Sequence, residues 1–158
     1  MKNLQILGLV FALLIGGYTY KKYRVAPSIL FPEIDVINTG KEITKLPNTN
    51  GKLRIVSFYA SWCPDCKREF PKMLSASNSD LSDAEFFAIT DEGYDKMMSF
   101  KQSSGYPFQF YTLPSSFDEY KIFAIPTTYI LNSKNEIIYS KVGEIDWQNE
   151  KFLSEIKK

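Results

Sequence analysis

Leu53-Arg54-Ile55-Val56-Ser57-Phe58-Tyr59-Ala60-Ser61-Trp62-Cys63-Pro64-Asp65-Cys66-Lys67 decides how this chain is read. Its first eight residues form an apolar run of strand length, and a helix-like stretch follows the second cysteine. Cys63 and Cys66 are the only cysteines among 158 residues. A C-x-x-C pair at a strand-to-helix junction points to thiol–disulfide chemistry. Two intervening residues let both sulfurs meet at the first turn of a helix. The first sulfur then faces unpaired backbone N–H groups and the positive end of the helix dipole, which favours the reactive thiolate. Pro64 suits that first turn, where its missing N–H costs nothing. Other uses of the pair are weaker. A structural disulfide across so short a loop removes little entropy from the unfolded chain. A structural zinc needs four ligands, and with no histidine present two cysteines reach that number only through dimerisation.

On either side, the pattern gives an ordered series of elements. Glu33–Ile37 and Glu42–Leu46 are short strands flanking the turn signal Asn38-Thr39-Gly40. Pro64 to about Ser77 is a helix with Phe70, Met73 and Leu74 on its apolar side, interrupted by Pro71. Ala84–Thr90 is a second buried strand, and Asp91–Ser104 a helix with Met97, Met98 and Phe100 apolar. The aromatic segment Gly105–Leu113 forms a strand edge or lines a groove, and Ser115–Ile122 is a short helix. Thr127–Leu131 and Glu136–Val142 form a hairpin. Asp146 N-caps a last helix through Lys157, with Trp147, Phe152, Leu153 and Ile156 inward. The order β-α-β-α-β-β-α implies an α/β fold: a mixed central sheet with helices on both faces, preceded by a β-hairpin.

The formal net charge is +1, which gives no reason to expect nucleic acid. The charge is uneven. Lys2, Lys21, Lys22 and Arg24 precede Val25 with no acid among them, leaving 15 basic and 18 acidic residues beyond. Between them, residues 3–20 carry no charge. As a helix this run spans ~27 Å, close to the ~30 Å of a bilayer core. Tyr18, Tyr20 and Tyr23 fall where an interfacial aromatic belt belongs. A cleaved signal peptide is the competing reading, with Ile6–Ile15 as its apolar core, but Gly17-Tyr18-Thr19 is a poor cleavage site. The expected organisation is therefore a membrane anchor with basic flank at 1–24, a tether at 25–32 and one domain at 33–158. Fully extended, residues 21–31 reach ~35 Å. The basic cluster alone favours a cytoplasmic domain, whereas disulfide clients are abundant outside the cytoplasm.

Four stretches carry a family likeness: Val56 through Cys66; Lys67-Arg68-Glu69-Phe70-Pro71; Ala124-Ile125-Pro126-Thr127-Thr128-Tyr129-Ile130-Leu131; and Val142-Gly143. With these motifs the chain resembles the thioredoxin superfamily, and within it the TlpA/ResA-like membrane-anchored thiol–disulfide oxidoreductases. The resemblance covers about Phe31 to Lys158. It implies a thioredoxin-like fold and an extracytoplasmic enzyme in which Cys63 attacks a client disulfide and Cys66 resolves the mixed disulfide. Trp62 shields one side of the site, or else packs in the core. Ile125-Pro126 is a cis-proline loop, so Ile125, Pro126 and Thr127 meet an extended client. Thioredoxins proper carry a buried aspartate six residues before the first cysteine. Ser57 stands there, and the resemblance offers Glu69 as the substitute proton acceptor, against its reading as an exposed carboxylate on the helix surface.

The implied partners are disulfide-containing proteins and a membrane or soluble dithiol donor; no cofactor and no metal is implied. Asp65 places a negative charge near the thiolate, and no histidine lies between the cysteines, so a reductant is favoured over an oxidant. A peroxide reductase of the same fold and a redox-inert binding module are the alternatives, and apocytochrome c is a possible client class.

Overall fold

A computed structural model describes residues 2–48 and 51–157, with side chains from Gln5 onward. The elements are α1 (Lys2–Arg24), β1 (Asp35–Ile37), β2 (Ile43–Lys45), β3 (Arg54–Phe58), α2 (Pro64–Ser77), β4 (Glu85–Thr90), α3 (Tyr94–Ser104), β5 (Gln109–Thr112), β6 (Thr127–Leu131), β7 (Ile137–Val142) and α4 (Glu150–Ile156). Phe31–Glu33 and Phe117–Tyr120 add single 3-10 turns.

Seven strands form one mixed sheet in the order β2-β1-β5-β4-β3-β6-β7. β3 lies near its middle, parallel to β4 and antiparallel to β6. All five residues of β3 are buried, which explains its unbroken apolar character. The period of two sorts its side chains. Ile55 and Tyr59 face one core with Phe70, Met73, Met97, Trp147 and Leu153, whereas Val56 and Phe58 face another with Phe31, Phe117 and Tyr129. The expected helices on both faces become α2, α3 and α4 on the first and the two 3-10 turns on the second.

Two details differ from the sequence reading, and the first hairpin adds a third observation. The strand in Gly105–Leu113 is not an edge: β5 sits between β4 and β1. Asp146 does not cap the last helix. Asn149 does, accepting from the Phe152 N–H at 3.0 Å, while Asp146 accepts from Gln148 N–H in the preceding turn. In the first hairpin the left-handed residue is Lys41 (φ 65°), because Asn38 Oδ1 accepts from both Gly40 and Glu42 N–H and closes the turn around it.

Residues 25–32 do not hang free. Tyr129 Oη donates to the Pro27 carbonyl at 2.7 Å, Ala26 and Ile29 pack on the second core, and Phe31 is buried against Phe58 and Tyr129. The segment foreseen as a tether is thus part of the domain. α1 leaves its apolar side chains from Ile6 to Ile15 exposed. Among the described residues no helix is long and apolar enough to cross a membrane. Phe31→Ala is expected to destabilise the domain by about 3 kcal/mol in urea unfolding. A loss below about 1 kcal/mol would mean that residues 25–32 merely rest on the sheet.

Candidate active site

β3 delivers the chain to the site. Tyr59 N–H continues the parallel ladder to the Ile89 carbonyl at 2.9 Å, and then the backbone turns, with Cys63 N–H donating to Ala60 O at 3.1 Å. Cys63 becomes the N-cap of α2 and Pro64 its first residue. Cys63 and Cys66 are joined in a disulfide with Cα atoms 5.3 Å apart. The Cys63 sulfur also accepts the Cys66 N–H at 3.2 Å. An otherwise orphaned helix N–H is therefore aimed at the sulfur that the reading nominates as nucleophile. Exposure does not rank the two cysteines, which are 3% and 2% accessible in this oxidised form. What distinguishes them is the cap position.

β6 brings the second half of the site. Phe58 pairs with Thr127 across the β3–β6 ladder, so the loop before Thr127 lies beside the loop after Phe58. The Ile125–Pro126 peptide is cis. The Ile125 carbonyl oxygen stands 3.8 Å from the Cys63 sulfur, which as half of a disulfide has no proton to donate. Gly143, at φ 92°, turns the end of β7 so that its N–H donates to Pro126 O at 2.7 Å. Thr127 Oγ1 donates to Ala124 O at 2.6 Å, so its hydroxyl closes the loop.

Trp62 is 67% exposed, which overturns its reading as a core aromatic. It walls a groove of about 270 Å³ whose other side is Phe117, Phe123 and Ile125. Asp65 is also outward and pairs with Arg68 Nη2 at 2.6 Å; Arg68 in turn reaches Glu144. The arginine offsets the charge of Asp65, so that charge weighs less on the sulfurs than its place in the sequence suggests.

Glu69 is fully buried on α2, three residues beyond Cys66 and hence on the same helix face. Its Oε1 accepts from Ile145 N–H at 2.9 Å and Trp147 Nε1–H at 3.2 Å, and Oε2 has no partner. Loss of water pushes its pKa up to about 7 against those two hydrogen bonds, which lower it. The exposed reading of Glu69 is thereby excluded. Ser57 is buried too, and its Oγ accepts from Thr128 Oγ1 at 3.2 Å: a neutral hydroxyl pair occupies the place of a carboxylate.

One residue escaped the sequence reading. Glu92, just after β4, accepts from both the N–H and the hydroxyl of Ser61, and its carboxylate is nearly buried. It anchors the loop that carries Trp62 and Cys63. The available signal was its place at the C-terminal end of a parallel strand, where α/β sites gather. Asp91 beside it accepts from Phe117 N–H at 2.9 Å and holds the far wall of the groove. Among the described residues no group of side chains is arranged to hold a metal. A concavity of about 820 Å³ around Leu53 and Asn132 contains neither cysteine.

A family model described as AhpC/TSA family matches residues 27–140. Sporulation thiol-disulfide oxidoreductase A of Bacillus subtilis (strain 168) is 30% identical over 111 residues, covering 66% of this chain and 66% of that protein. Thiol-disulfide oxidoreductase ResA of the same organism is 28% identical over 108 residues, covering 66% and 60%. The chain thus spans about two thirds or less of these relatives' lengths. The crystal structure of StoA from Bacillus subtilis superposes with a TM-score of 0.61 at 24% identity, over 81% of this chain and 99% of that one. The solution structure of a thioredoxin-like protein from Porphyromonas gingivalis reaches 0.67 at 15% identity, over 80% and 89%. These two structures establish the thioredoxin-like fold.

Two outcomes follow from the buried carboxylates. Folding raises the pKa of Glu69, so the native state holds a proton that the unfolded chain releases near ~4.3. Stability should therefore fall as pH rises from about 4 to about 7, by about 3 kcal/mol in all, and level off above. Urea unfolding across pH measures this, and Glu69→Gln should flatten the slope; an unchanged slope would assign it to other groups. Glu92→Ala leaves Ser61 N–H unpaired and should cost roughly 1–3 kcal/mol, with faster hydrogen exchange at residues 61–63.

Proposed function

The chain belongs to the AhpC/TSA family of thioredoxin-like proteins, and from that premise we propose that it is a thiol–disulfide oxidoreductase working through Cys63 and Cys66. The observation that carries this reading is the disulfide at the start of α2, with the Cys66 N–H directed at the Cys63 sulfur. In the reduced form Cys63 thiolate attacks one sulfur of a client disulfide. A Cys63–client bond forms, and the second client sulfur leaves as a thiolate that takes up a proton. Cys66 then attacks the Cys63 sulfur, the first client sulfur leaves, and Cys63–Cys66 remains oxidised with two electrons passed to the client. A dithiol donor, in the membrane or soluble, then attacks the Cys63–Cys66 disulfide, restores both thiols and leaves as a disulfide.

Supporting roles follow from placement. Glu69, which gains and loses its proton at about pH 7, is suited as the carboxylate to take the proton of Cys66 on the shared helix face and, once protonated, to return it. The groove between Trp62 and Phe123 suits an apolar client segment, and the Ile125 backbone beside Cys63 suits strand-like pairing with it. Reduction of clients, apocytochrome c among the possible ones, is favoured over oxidation because no cation lies between the cysteines and a buried carboxyl lies beneath them. Disulfide exchange is favoured over peroxide reduction because the resolving sulfur is already bonded within the same helical turn. A redox-inert role leaves the paired sulfurs at the helix terminus unexplained.

We also propose that α1 anchors the chain in a membrane with the domain outside the cytoplasm. Support comes from the uncharged run 3–20, its exposed apolar side chains, and Thr19, whose hydroxyl donates back to Ile15 O and Gly16 O at 3.0 Å.

Cys66→Ser is expected to accumulate mixed disulfides with client proteins on non-reducing gels, and Cys63→Ser to accumulate none. Alkylation of the reduced protein that labels Cys66 first would reverse the assignment. Alkaline phosphatase fused after Lys158 should be active in bacterial cells; activity only from a cytoplasmic reporter would place the domain inside.

A further inference from the structure

The end of α1 and the loop before Pro126 form one surface, although about 100 residues separate them in sequence. Tyr23 meets Phe123 edge-on with ring centres 6.5 Å apart, and Lys22 Nζ stands 4.5 Å from the centre of the Phe123 ring. Between them opens a pocket of about 480 Å³ lined by Tyr18, Lys21, Lys22, Lys121 and Phe123, with residues 25–28 as its floor. Three lysines line it and no acid does. Among the described residues no carboxylate pairs with Lys21, Lys121 or Arg24. Asp118 and Glu119 are close in sequence but do not line this pocket; Asp118 borders the Trp62 groove instead. Lys121 has φ 60°, a conformation that glycine adopts at lower cost, so backbone preference does not account for a lysine there.

The exposed apolar stretch of α1 from Ile6 to Ile15 leads along the helix to Lys21 and Lys22 of this basic pocket, and the exposed Tyr18, Tyr20 and Tyr23 fall within the same last two turns of the helix. In a bilayer that level is the headgroup layer. We propose that the pocket takes the phosphate headgroup of an anionic phospholipid from the leaflet around α1, and that this contact lays the Trp62–Ile125 groove against the bilayer surface. The inference rests on the reading of α1 as a membrane anchor. Phe123, 36% exposed, borders both the lysine pocket and the groove, so it couples the two. The site is then at the membrane surface instead of at the end of a ~35 Å tether, and it favours partners whose thiols sit at the same interface. Each lysine contributes to headgroup attraction, and losing one should weaken it about fivefold.

The test uses the full chain in lipid nanodiscs of phosphatidylcholine, with and without phosphatidylglycerol. Hydrogen exchange at residues 121–125 is expected to slow only with phosphatidylglycerol present. Lys121→Gln should lose most of that slowing, while the chain stays in the disc and still reduces a small soluble disulfide. Equal exchange in both discs overturns the proposal and leaves the anchor intact. A chain that does not enter discs at all overturns the anchor reading and the proposal with it. If inorganic phosphate added to phosphatidylcholine discs reproduces the slowing, the pocket is a free-phosphate site and the lipid assignment is wrong.

Discussion

The register between β3 and β6 is the constraint on which the rest depends. It sets Phe58 opposite Thr127, so the loop that leaves β3 and the loop that enters β6 emerge side by side at one end of the sheet. Cys63 and Ile125, 62 residues apart, come within 3.8 Å because of that pairing. A slip of one residue would turn Ile55 and Tyr59 from their core to the other and would carry Cys63 away from Ile125. The register holds because both faces of β3 are buried. Aromatic packing on one side (Phe58 with Phe31, Phe117 and Tyr129) and on the other (Tyr59 with Phe70, Phe100 and Phe110) rejects the alternatives.

Around that junction, polar groups do the positioning. Glu92 ties Ser61 to the end of β4, Asp91 ties Phe117 to it, and Gly143 ties Pro126 to the end of β7. Each anchor comes from the C-terminal end of a strand or from the turn after it, so the rigid sheet transmits its geometry to a loop that would otherwise be mobile. Glu69 differs from these. It is held by two hydrogen bonds on one oxygen and none on the other, an arrangement that costs stability once the group ionises. A carboxyl retained under that penalty, one helical turn below Cys66, is suited to proton transfer during exchange more than to support of the fold.

The electrostatics of the dipeptide between the cysteines show how a local argument changes in three dimensions. Asp65 adjoins Cys66 in sequence, but its carboxylate turns outward into a cluster with Arg68, Glu144 and Lys72. Two of those residues lie on the same helix and one comes from beyond β7. The charge that reaches the sulfurs is therefore that of a cluster, and exposure to solvent screens it.

Local sequence determined much of this protein. The C-x-x-C after an apolar strand, the helix from Pro64 to Ser77 and the hairpin of β6 and β7 were legible, because each rests on interactions between residues close in the chain or on a period of two or 3.6; the loop at Ile125-Pro126 was legible only through the family resemblance. Tertiary structure decided the rest. Whether Glu69 was buried, whether Trp62 was exposed, whether β5 was an edge, and which residue capped α4 depended on neighbours supplied by distant segments. Glu92 left no local mark as an anchor, since its partner Ser61 lies 31 residues away. Residues 25–32 read as a tether because they lie between the uncharged run and the first strand, yet Phe31 and Pro27 found partners on β3 and β6. Periodicity reports which face of an element is apolar, whereas contact between elements is set by the packing of the whole sheet.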